Sequence, residues 1–134
     1  AWGIIQDRGG NVLSKFHVDI VGTWQDGTGT LDEHFEYYES EKKQRRVWKI
    51  RKLENGNYVG SANDILGEAV GKTVGDAVFW TYKMMIPYKG KDFKVKFDDW
   101  IWPLGADAVM NRSEIKKFGF KVGEVTIFMK KRES

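Results

Sequence analysis

The stretch Phe93–Trp102, with the sequence FKVKFDDWIW, alternates between two kinds of side chain with a period of two residues. Such alternation is typical of a β-strand that has one face toward an apolar core. The core face carries Phe93, Val95, Phe97, Asp99 and Ile101. A carboxylate among large apolar side chains costs free energy unless it is paired, hydrogen-bonded or protonated. Asp99 is therefore either an ion-pair partner or a functional group.

The composition is that of one well-packed domain, which we expect to span residues 1–134. Aromatic residues make up 14% of the chain, which argues against disorder. Cysteine is absent, so disulfides, thiolate metal sites and cysteine nucleophiles are excluded. The net charge of +3 is too small for the basic signature of a nucleic-acid-binding domain, so we expect no nucleic-acid partner.

Turn signals rich in Gly, Asp and Asn recur along the chain, with alternating or β-branched segments between them. No segment is a convincing amphipathic helix. The segments predict strands at residues 2–7, 11–25, 28–38, 43–53, 57–63, 67–73, 77–88, 91–103, 107–118 and 121–131. About ten consecutive antiparallel strands with short turns predict an all-β fold, a single antiparallel up-and-down β-barrel.

Hairpin loops determine which side chains face the interior, because a shift of one residue moves every side chain to the other face. We expect two-residue loops at Asp26-Gly27, Lys89-Gly90 and Gly119-Phe120. The first two keep nearly all apolar side chains of the paired strands on one face, which supports their registers. The third places Met110 on the inner face.

The partner of Asp99 on the next strand depends on the loop that follows it. A two-residue loop at Gly105-Ala106 places Arg112 directly opposite Asp99. A loop one residue longer places Asn111 there instead. The bidentate fork of arginine suits a carboxylate, so the first register predicts an ion pair inside the barrel.

A second group of charges falls on another part of the inner face. A four-residue loop at Glu39–Lys42 places Phe35 opposite Arg46, and a three-residue loop at Glu54–Gly56 places Arg46 opposite Asp64. Arg46 is therefore expected to pair with Asp64, or with the neighbouring acid Glu33, since an unpaired buried charge costs several kcal/mol.

These inward side chains are the candidate ligand-binding residues: Glu33, Arg46, Trp48, Asp64, Trp80, Tyr82, Phe97, Asp99, Met110 and Arg112. Three interpretations stay open. The charges are ion pairs that fix the strand register, or an arginine receives the anionic head group of a ligand in an apolar cavity. In the third, Asp99 or Glu33 is a general base whose pKa is raised by burial.

Histidine and metal chemistry find little support in the sequence. His17 and His34 both fall on the outward faces of their strands, which leaves no inner histidine to act as a base or a ligand. No close Asp/Glu/His spacing predicts a metal site, and no Ser/His/Asp arrangement stands out. We assign no catalytic residue and no metal ligand, and we expect no cofactor.

The outer face of the 91–103 strand is unusual because Trp100 and Trp102 lie on it beside lysines. Exposed aromatic side chains next to lysine suit a membrane interface or a protein partner. The alternative is that the N-terminal strand, with Trp2 and Ile4, covers both indole rings.

Several longer segments resemble a domain-of-unknown-function family of bacterial envelope lipoproteins. They are VGTWQDGTGTLDEHFEY (21–37), QRRVWKI (44–50), YVGSANDILGEAVG (58–71) and KFDDWIWPLGADAVMNRSEIKKFGFKVGEVTIFM (96–129). The most specific elements are FDDW, NR and KFGFKVGEVT, and the match covers nearly the whole chain. The charged positions that match are Glu33, Arg46, Asp64, Asp99, Arg112, Lys117 and Glu124.

The resemblance implies a lipocalin-like (calycin) barrel, and it implies no activity. It also implies a signal sequence with a lipid-carrying cysteine upstream of Ala1, which would place the protein on the periplasmic side of the bacterial cell envelope. The start of the chain at Ala1-Trp2, without Met, is consistent with such processing. Membrane association would then come from an anchor outside this chain.

The sequence favours a binding function over catalysis. The first hypothesis is that the barrel holds a hydrophobic or amphipathic, lipid-like anionic small molecule, with Arg46 or Arg112 at its head group. The alternative is a structural or interaction barrel with a filled core, which docks a partner or a membrane through the outer Trp/Lys patch. The second alternative is a small isomerase or hydrolase that uses a buried carboxylate.

Overall fold

The computed structural model describes residues 1–88 and 90–132. This part of the chain is all-β and contains no helix. The strands are β1 Trp2–Asp7, β2 Val12–Gln25, β3 Thr28–Tyr37, β4 Lys43–Lys52, β5 Tyr58–Ala62, β6 Ile65–Val74, β7 Ala77–Tyr88, β8 Lys91–Pro103, β9 Ala108–Lys117 and β10 Phe120–Lys130. The predicted bounds agree closely; the largest difference is at β6, which was predicted from residue 67 and begins at Ile65.

The ten strands form one closed antiparallel barrel in which each strand pairs with its neighbours along the chain. β1 closes the ring by pairing with β10, with Trp2 opposite Phe128. The predicted up-and-down barrel is therefore confirmed. Because the ring is closed, each of the ten strands has a hydrogen-bonded neighbour on both sides.

Two of the predicted hairpin registers are confirmed. Asp26 and Gly27 both have positive φ, at 53° and 76°, as a two-residue turn with this twist requires. Ile20 consequently faces Glu33 across β2 and β3. Across β7 and β8, Trp80 faces Asp99, as the loop at 89–90 predicted, although residue 89 itself lies outside the described residues.

The predicted pairing of Asp99 with Arg112 is wrong, and the longer loop that was the alternative is the one found. The amide of Leu104 donates to the carbonyl of Ala108 at 2.8 Å, so the β8–β9 loop has three residues, from Gly105 to Asp107. Asp99 therefore faces Ser113, and not Arg112 or Asn111. The carbonyl of Asp107 accepts a hydrogen bond of 2.7 Å from Lys131, which holds this residue in the loop.

The predicted loop between β9 and β10 is also displaced by one residue. Phe118 and Gly119 form the turn, with φ of 52° and 82°, and Phe120 already pairs with Lys117. A bulky side chain is rare at positive φ, and Phe118 is such an exception here. Met110 lies opposite Phe128 on the outer face, so its predicted inward orientation is wrong.

The β3–β4 loop is displaced as well, and the pairing shifts by two residues, so inward side chains stay inward. Tyr37 pairs with Lys42 through a 2.9 Å hydrogen bond, so Glu33, and not Phe35, lies opposite Arg46. A pair shift of two residues leaves each side chain on its own face. The predicted inner positions of Glu33 and Arg46 are therefore confirmed, although their direct partners changed.

The buried residues form two clusters inside the barrel. The larger one consists of Ala69, Trp80, Tyr82, Met84, Val95, Phe97 and Ile115. The smaller one consists of Phe16, Val18 and Phe35. The clusters lie on different strands of the barrel.

The glycine-rich start of β6 makes room for one of these clusters. The β6–β7 register shifts between Leu66 and Val70, and Gly67 has φ of 68°, which is the geometry of a β-bulge. Further along, a Cβ atom on Gly71 would lie 2.9 Å from the Trp80 ring. The missing side chain thus lets the indole pack flat against the strand.

Candidate functional site

The barrel encloses one large cavity of about 850 Å³. The interior is hollow, which the sequence could not show, because filled and ligand-holding barrels share the same alternation. Eight of the ten predicted ligand-binding residues line it: Glu33, Arg46, Trp48, Asp64, Trp80, Tyr82, Phe97 and Asp99. Met110 and Arg112 do not line it. That these residues bind a ligand stays a prediction.

Arg46 and Asp64 form a bidentate ion pair, which confirms one of the two predicted pairings. The Arg46 Nε atom lies 2.8 Å from Oδ1 of Asp64, and Nη2 lies 2.8 Å from Oδ2. Gln44 also donates to Asp64, at 3.1 Å, and accepts from the hydroxyl of Tyr37, at 3.2 Å. The guanidinium lies over the ring of Phe35, 5.3 Å from its centroid. Arg46 is therefore held in place and its charge is balanced.

Glu33 is a partly buried acid that forms no ion pair among the described residues, although Arg46 lies opposite it on β4. Trp48 donates its indole N–H to Oε1 of Glu33 at 3.1 Å, across the β3–β4 pair. Burial raises the pKa of Glu33 from 4.5 to about 7, although the nearby charge of Arg46 and the Trp48 hydrogen bond both act to lower it. Glu33 can therefore gain or lose a proton near neutral pH.

Asp99 is the second buried acid, and two neighbours on β9 hold it. Ser113 donates its hydroxyl to Oδ1 at 2.6 Å, and the amide of Asn111 donates to the same oxygen. Asn111 also donates to the carbonyl of Trp100 at 2.9 Å. Burial raises the pKa of Asp99 from 3.8 to about 6, and the two hydrogen bonds limit that rise.

Sequence reasoning missed Ser113 and gave Asn111 only as an alternative partner. The signal was present in the alternation of Asn111, Ser113 and Ile115 along β9, since all three face inward. It could not be used because the predicted β8–β9 loop was one residue too short, which turned these side chains outward.

Glu33 and Asp99 lie on opposite sides of the barrel. β3 and β8 are five steps apart in either direction around the ring of ten strands, and both acids line the cavity. The negative charge of Asp99 contributes to the raised pKa of Glu33. In the part of the chain that the structure describes, Oε2 of Glu33 and Oδ2 of Asp99 accept no hydrogen bond. Each acid thus has one oxygen held by protein and one free.

Aromatic rings surround the two acids. Trp48 contacts Tyr82 edge-on at 5.2 Å between ring centroids, and Tyr82 stacks on Phe97 at 5.0 Å. Trp80 lies 6.4 Å from Trp48. Burial raises the pKa of Tyr82 well above its usual value, so this hydroxyl stays protonated. We call Glu33, Trp48, Tyr82, Phe97 and Asp99 the polar wall.

The remaining side of the cavity is apolar. It is formed by β1, β2 and β10, which contribute Ile5, Phe16, Ile20, Val125, Ile127 and Met129. We call these six residues the apolar wall. The cavity therefore offers both charged and aromatic groups and a stretch of apolar surface on β1, β2 and β10, which is the combination that an amphipathic molecule needs.

The two ends of the barrel differ. Ser40, Lys42 and Lys43, which are exposed, line the cavity at the end that carries the β3–β4 loop, so the cavity reaches solvent there. Toward the other end, Tyr58 packs between Trp24 and Trp80, with ring centroids 6.5 Å and 6.1 Å away. Access to the cavity is thus at the lysine-bearing end.

Arg112 lies on the outer face of the barrel, where its Nε atom is 2.7 Å from Oε1 of Glu124. The prediction that it pairs with Asp99 is wrong because the longer β8–β9 loop turns it outward. His17 and His34 also face outward, as predicted. None of these three side chains lines the cavity.

The outer aromatic residues of β8 are not covered by the N-terminal strand. Trp100 stacks on Trp102 at 6.0 Å and packs against Phe79 at 4.6 Å. β1 lies between β2 and β10, and Trp2 packs on Phe128 at 6.4 Å. The proposed covering by Trp2 is therefore wrong, and docking through Trp100 and Trp102 stays a prediction.

Two kinds of feature are absent from the described residues. Within residues 1–88 and 90–132, no three or more His, Asp or Glu side chains are grouped so that they could hold a metal ion. The same residues contain no helix with the length and hydropathy needed to cross a bilayer.

Comparison with known proteins supports the resemblance noted in the sequence. A family model described as "Protein of unknown function (DUF3833)" matches residues 1–131. A search of curated proteins finds no match to the chain. The lipoprotein and bacterial nature implied by the resemblance stay predictions. Because the family model spans nearly all 134 residues, the chain belongs to this domain-of-unknown-function family.

Proposed function

We propose that the barrel binds a hydrophobic or amphipathic small molecule in its cavity. The observation that carries the proposal is the cavity itself, whose volume of about 850 Å³ lies in the range of ligand sites. Its apolar wall suits a hydrocarbon group, and its polar wall offers a few oriented polar atoms. The opening beside Lys42 and Lys43 provides a path for entry.

The sequence predicted that Arg46 or Arg112 would bind an anionic head group. The positions of these two arginines do not support that part of the hypothesis. Arg112 lies outside the barrel and pairs with Glu124. Arg46 lines the cavity, but Asp64 occupies its guanidinium in a bidentate pair. We therefore leave the anionic character out of the proposal and retain the amphipathic one.

A cavity-filling variant tests the proposal directly. Ile127→Trp places an indole in the apolar wall, and Thr126→Trp places the same group on the outer face of the same strand. We expect the first variant to weaken the binding of the neutral fluorophore N-phenyl-1-naphthylamine by about tenfold or more, and the second to change it by less than about twofold. Native mass spectrometry of protein purified from its own host should show a bound small molecule. If the fluorophore does not bind and no bound mass is found, the proposal is wrong.

A second candidate is acid–base catalysis by Glu33 and Asp99. The observation that favours it is that two facing acids have pKa values of about 7 and about 6, with one free oxygen each. It ranks second because most of the cavity lining is apolar and distant from the acids. Turnover of chromogenic esters or glycosides that is lost in both Glu33→Gln and Asp99→Asn would favour it over simple binding.

The location in the bacterial cell envelope, with a lipid anchor upstream of Ala1, is also kept as a proposal. Its support is the resemblance to envelope lipoproteins. Fractionation of cells that express the full-length gene, with and without an upstream cysteine where the gene encodes one, tests it. Release of the protein from the membrane fraction only in the cysteine variant is the expected result.

A further inference from the structure

We propose that the polar end of the bound molecule is a cation, of the alkylammonium class, held between Glu33 and Asp99. This inference rests on the proposed binding function and adds the chemical class of the ligand to it. It replaces the expectation of an anionic head group with its opposite.

The charges inside the cavity are the first support. The described residues place three carboxylates there, those of Glu33, Asp64 and Asp99, and one deeply placed guanidinium, that of Arg46. Arg46 and Asp64 neutralise each other. Among residues 1–88 and 90–132, no cation lies within ion-pair distance of Glu33 or Asp99, although the charge of Arg46 reaches both acids. A cationic ligand would supply the direct partner that they lack.

The positions of the two acids are the second support. They lie on opposite sides of the barrel, on β3 and β8, and both line the cavity. The charge of Asp99 reaches Glu33 across that space, since it acts to raise the pKa of Glu33. Trp48 holds one oxygen of Glu33, and Ser113 and Asn111 hold one oxygen of Asp99. The other oxygen of each acid is free to accept an N–H from an ammonium group.

The aromatic rings of the polar wall are the third support. Ring faces attract cations, more strongly when water is excluded. Trp48 donates its indole N–H to Glu33, and the charges of both acids act on Tyr82, whose ring contacts Trp48 and stacks on Phe97. The same interior already holds a cation on a ring face, since Arg46 lies over Phe35 at 5.3 Å. Carboxylates and ring faces together are the usual surroundings of an alkylammonium group.

The ligand's hydrocarbon part would lie against the apolar wall, where Ile20, Ile127 and Met129 face the cavity. The exposed Lys42 and Lys43 at the opening do not prevent entry, because solvent and salt screen charges at the rim more than charges inside. The ligand would thus enter past the lysines and place its ammonium group deeper, at the acids.

Binding of a cation at this site should strengthen as the two acids ionise. The titratable or charged groups that face the site are Glu33 and Tyr37 on β3, Arg46 on β4, Asp64 in the β5–β6 turn, Tyr82 on β7 and Asp99 on β8. Of these, Glu33 and Asp99 have pKa values of about 7 and about 6. Affinity for an alkylammonium ion should therefore rise between pH 5 and pH 8.

Three probes with the same chain length and different head groups test the inference. They are dodecylammonium, dodecanol and dodecanoate, measured below their micellar concentrations by displacement of N-phenyl-1-naphthylamine at pH 8. We expect dodecylammonium to bind at least about tenfold more tightly than dodecanol, and dodecanoate to bind most weakly. Glu33→Gln and Asp99→Asn should each remove most of this preference. Glu36→Gln, an exposed outer acid on the same strand as Glu33, is the matched control and should leave it unchanged.

The outcomes separate the two proposals. If dodecanol or dodecanoate binds as tightly as dodecylammonium, or if the preference survives in both Glu33→Gln and Asp99→Asn, the cation inference is wrong and the binding function stands. If none of the probes, including the fluorophore, binds to the folded protein, the binding function is wrong and the cation inference falls with it. Circular dichroism of each variant confirms that the barrel is intact.

Discussion

The hydroxyl of Ser113 donates a 2.6 Å hydrogen bond to Oδ1 of Asp99 directly across the β8–β9 pair. Both side chains are buried, with exposed fractions of 4% and 9%. This bond holds one oxygen of Asp99 against the wall and leaves the other toward the cavity. The orientation of Asp99 therefore depends on Ser113, and Ser113 lies opposite Asp99 because the β8–β9 loop has three residues.

Removal of that hydroxyl should change both stability and titration. Ser113→Ala takes a donor from a buried carboxylate, so we expect the free energy of unfolding to fall by about 1–3 kcal/mol. The pKa of Asp99 should rise above its value of about 6, because the ionised form loses a stabilising bond. Urea unfolding and an NMR titration of the carboxyl carbon measure the two effects. Ser61→Ala, at an exposed position on β5, is the control, and an equal loss in both variants would contradict the assigned role.

The loops explain which parts of the site could be predicted from sequence. Asp26-Gly27 forms the turn that its residue types favour, so Glu33 was correctly placed opposite Ile20. The β3–β4 loop was displaced by a shift of two residues in pairing, which kept Arg46 inside. The β8–β9 loop was misjudged by one residue, which is enough to exchange the two faces of β9.

The consequences of that one residue are large because β9 carries polar side chains on both faces. Arg112 and Met110 were predicted inside and lie outside, while Ser113 and Asn111 took their places. No composition rule distinguishes the two registers, since each offers Asp99 a hydrogen-bond donor. The choice is made by the backbone bonds of the loop, such as that from Leu104 to Ala108, which sequence patterns do not report.

The two buried acids should make the protein less stable as the pH rises from about 4 to about 7. The pKa of Glu33 in the folded protein is about 7, against 4.5 when unfolded, and that of Asp99 is about 6, against 3.8. Between these limits the folded state binds more protons than the unfolded state, so deprotonation favours unfolding. The loss should amount to a few kcal/mol in total, and stability should level off above about pH 7. Urea unfolding from pH 4 to pH 8 measures the slope.

Two variants identify the source of this slope. Glu33→Gln and Asp99→Asn each replace a titrating group by a neutral one of similar shape, so each should flatten part of the pH dependence. Glu33→Gln should flatten the pH dependence of the free energy of unfolding mainly between about pH 5 and pH 7. Asp99→Asn should flatten it about one pH unit lower. An unchanged profile in both would show that the acids are not the cause.

Asp64 should matter more for stability than Asp32, because its arginine partner is only 17% exposed whereas the arginine partner of Asp32 is 63% exposed. Asp64→Asn leaves the guanidinium of Arg46 in the cavity without its carboxylate, so we expect a loss on the order of 3 kcal/mol. Asp32→Asn breaks a comparable bidentate pair with Arg45 on the outer face, with bonds of 2.9 Å. That loss should be much smaller, because water screens the pair. Equal losses by urea unfolding would contradict the importance of burial.

Gly71 and Gly29 each lie against an indole ring. Alanine variants at these positions test what determines the loss of stability: the distance from the new methyl group to the ring, or the freedom of the ring to move away. An added Cβ would lie 2.9 Å from Trp80 at Gly71 and 2.2 Å from Trp24 at Gly29. Distance alone predicts that Gly29→Ala is worse. Trp80 is only 8% exposed and cannot move away, whereas Trp24 is 54% exposed and can rotate into solvent. We therefore expect Gly71→Ala to cost about 1–3 kcal/mol and Gly29→Ala to cost less. Urea unfolding ranks the two variants, and a larger loss for Gly29→Ala would show that Trp24 is as confined as Trp80.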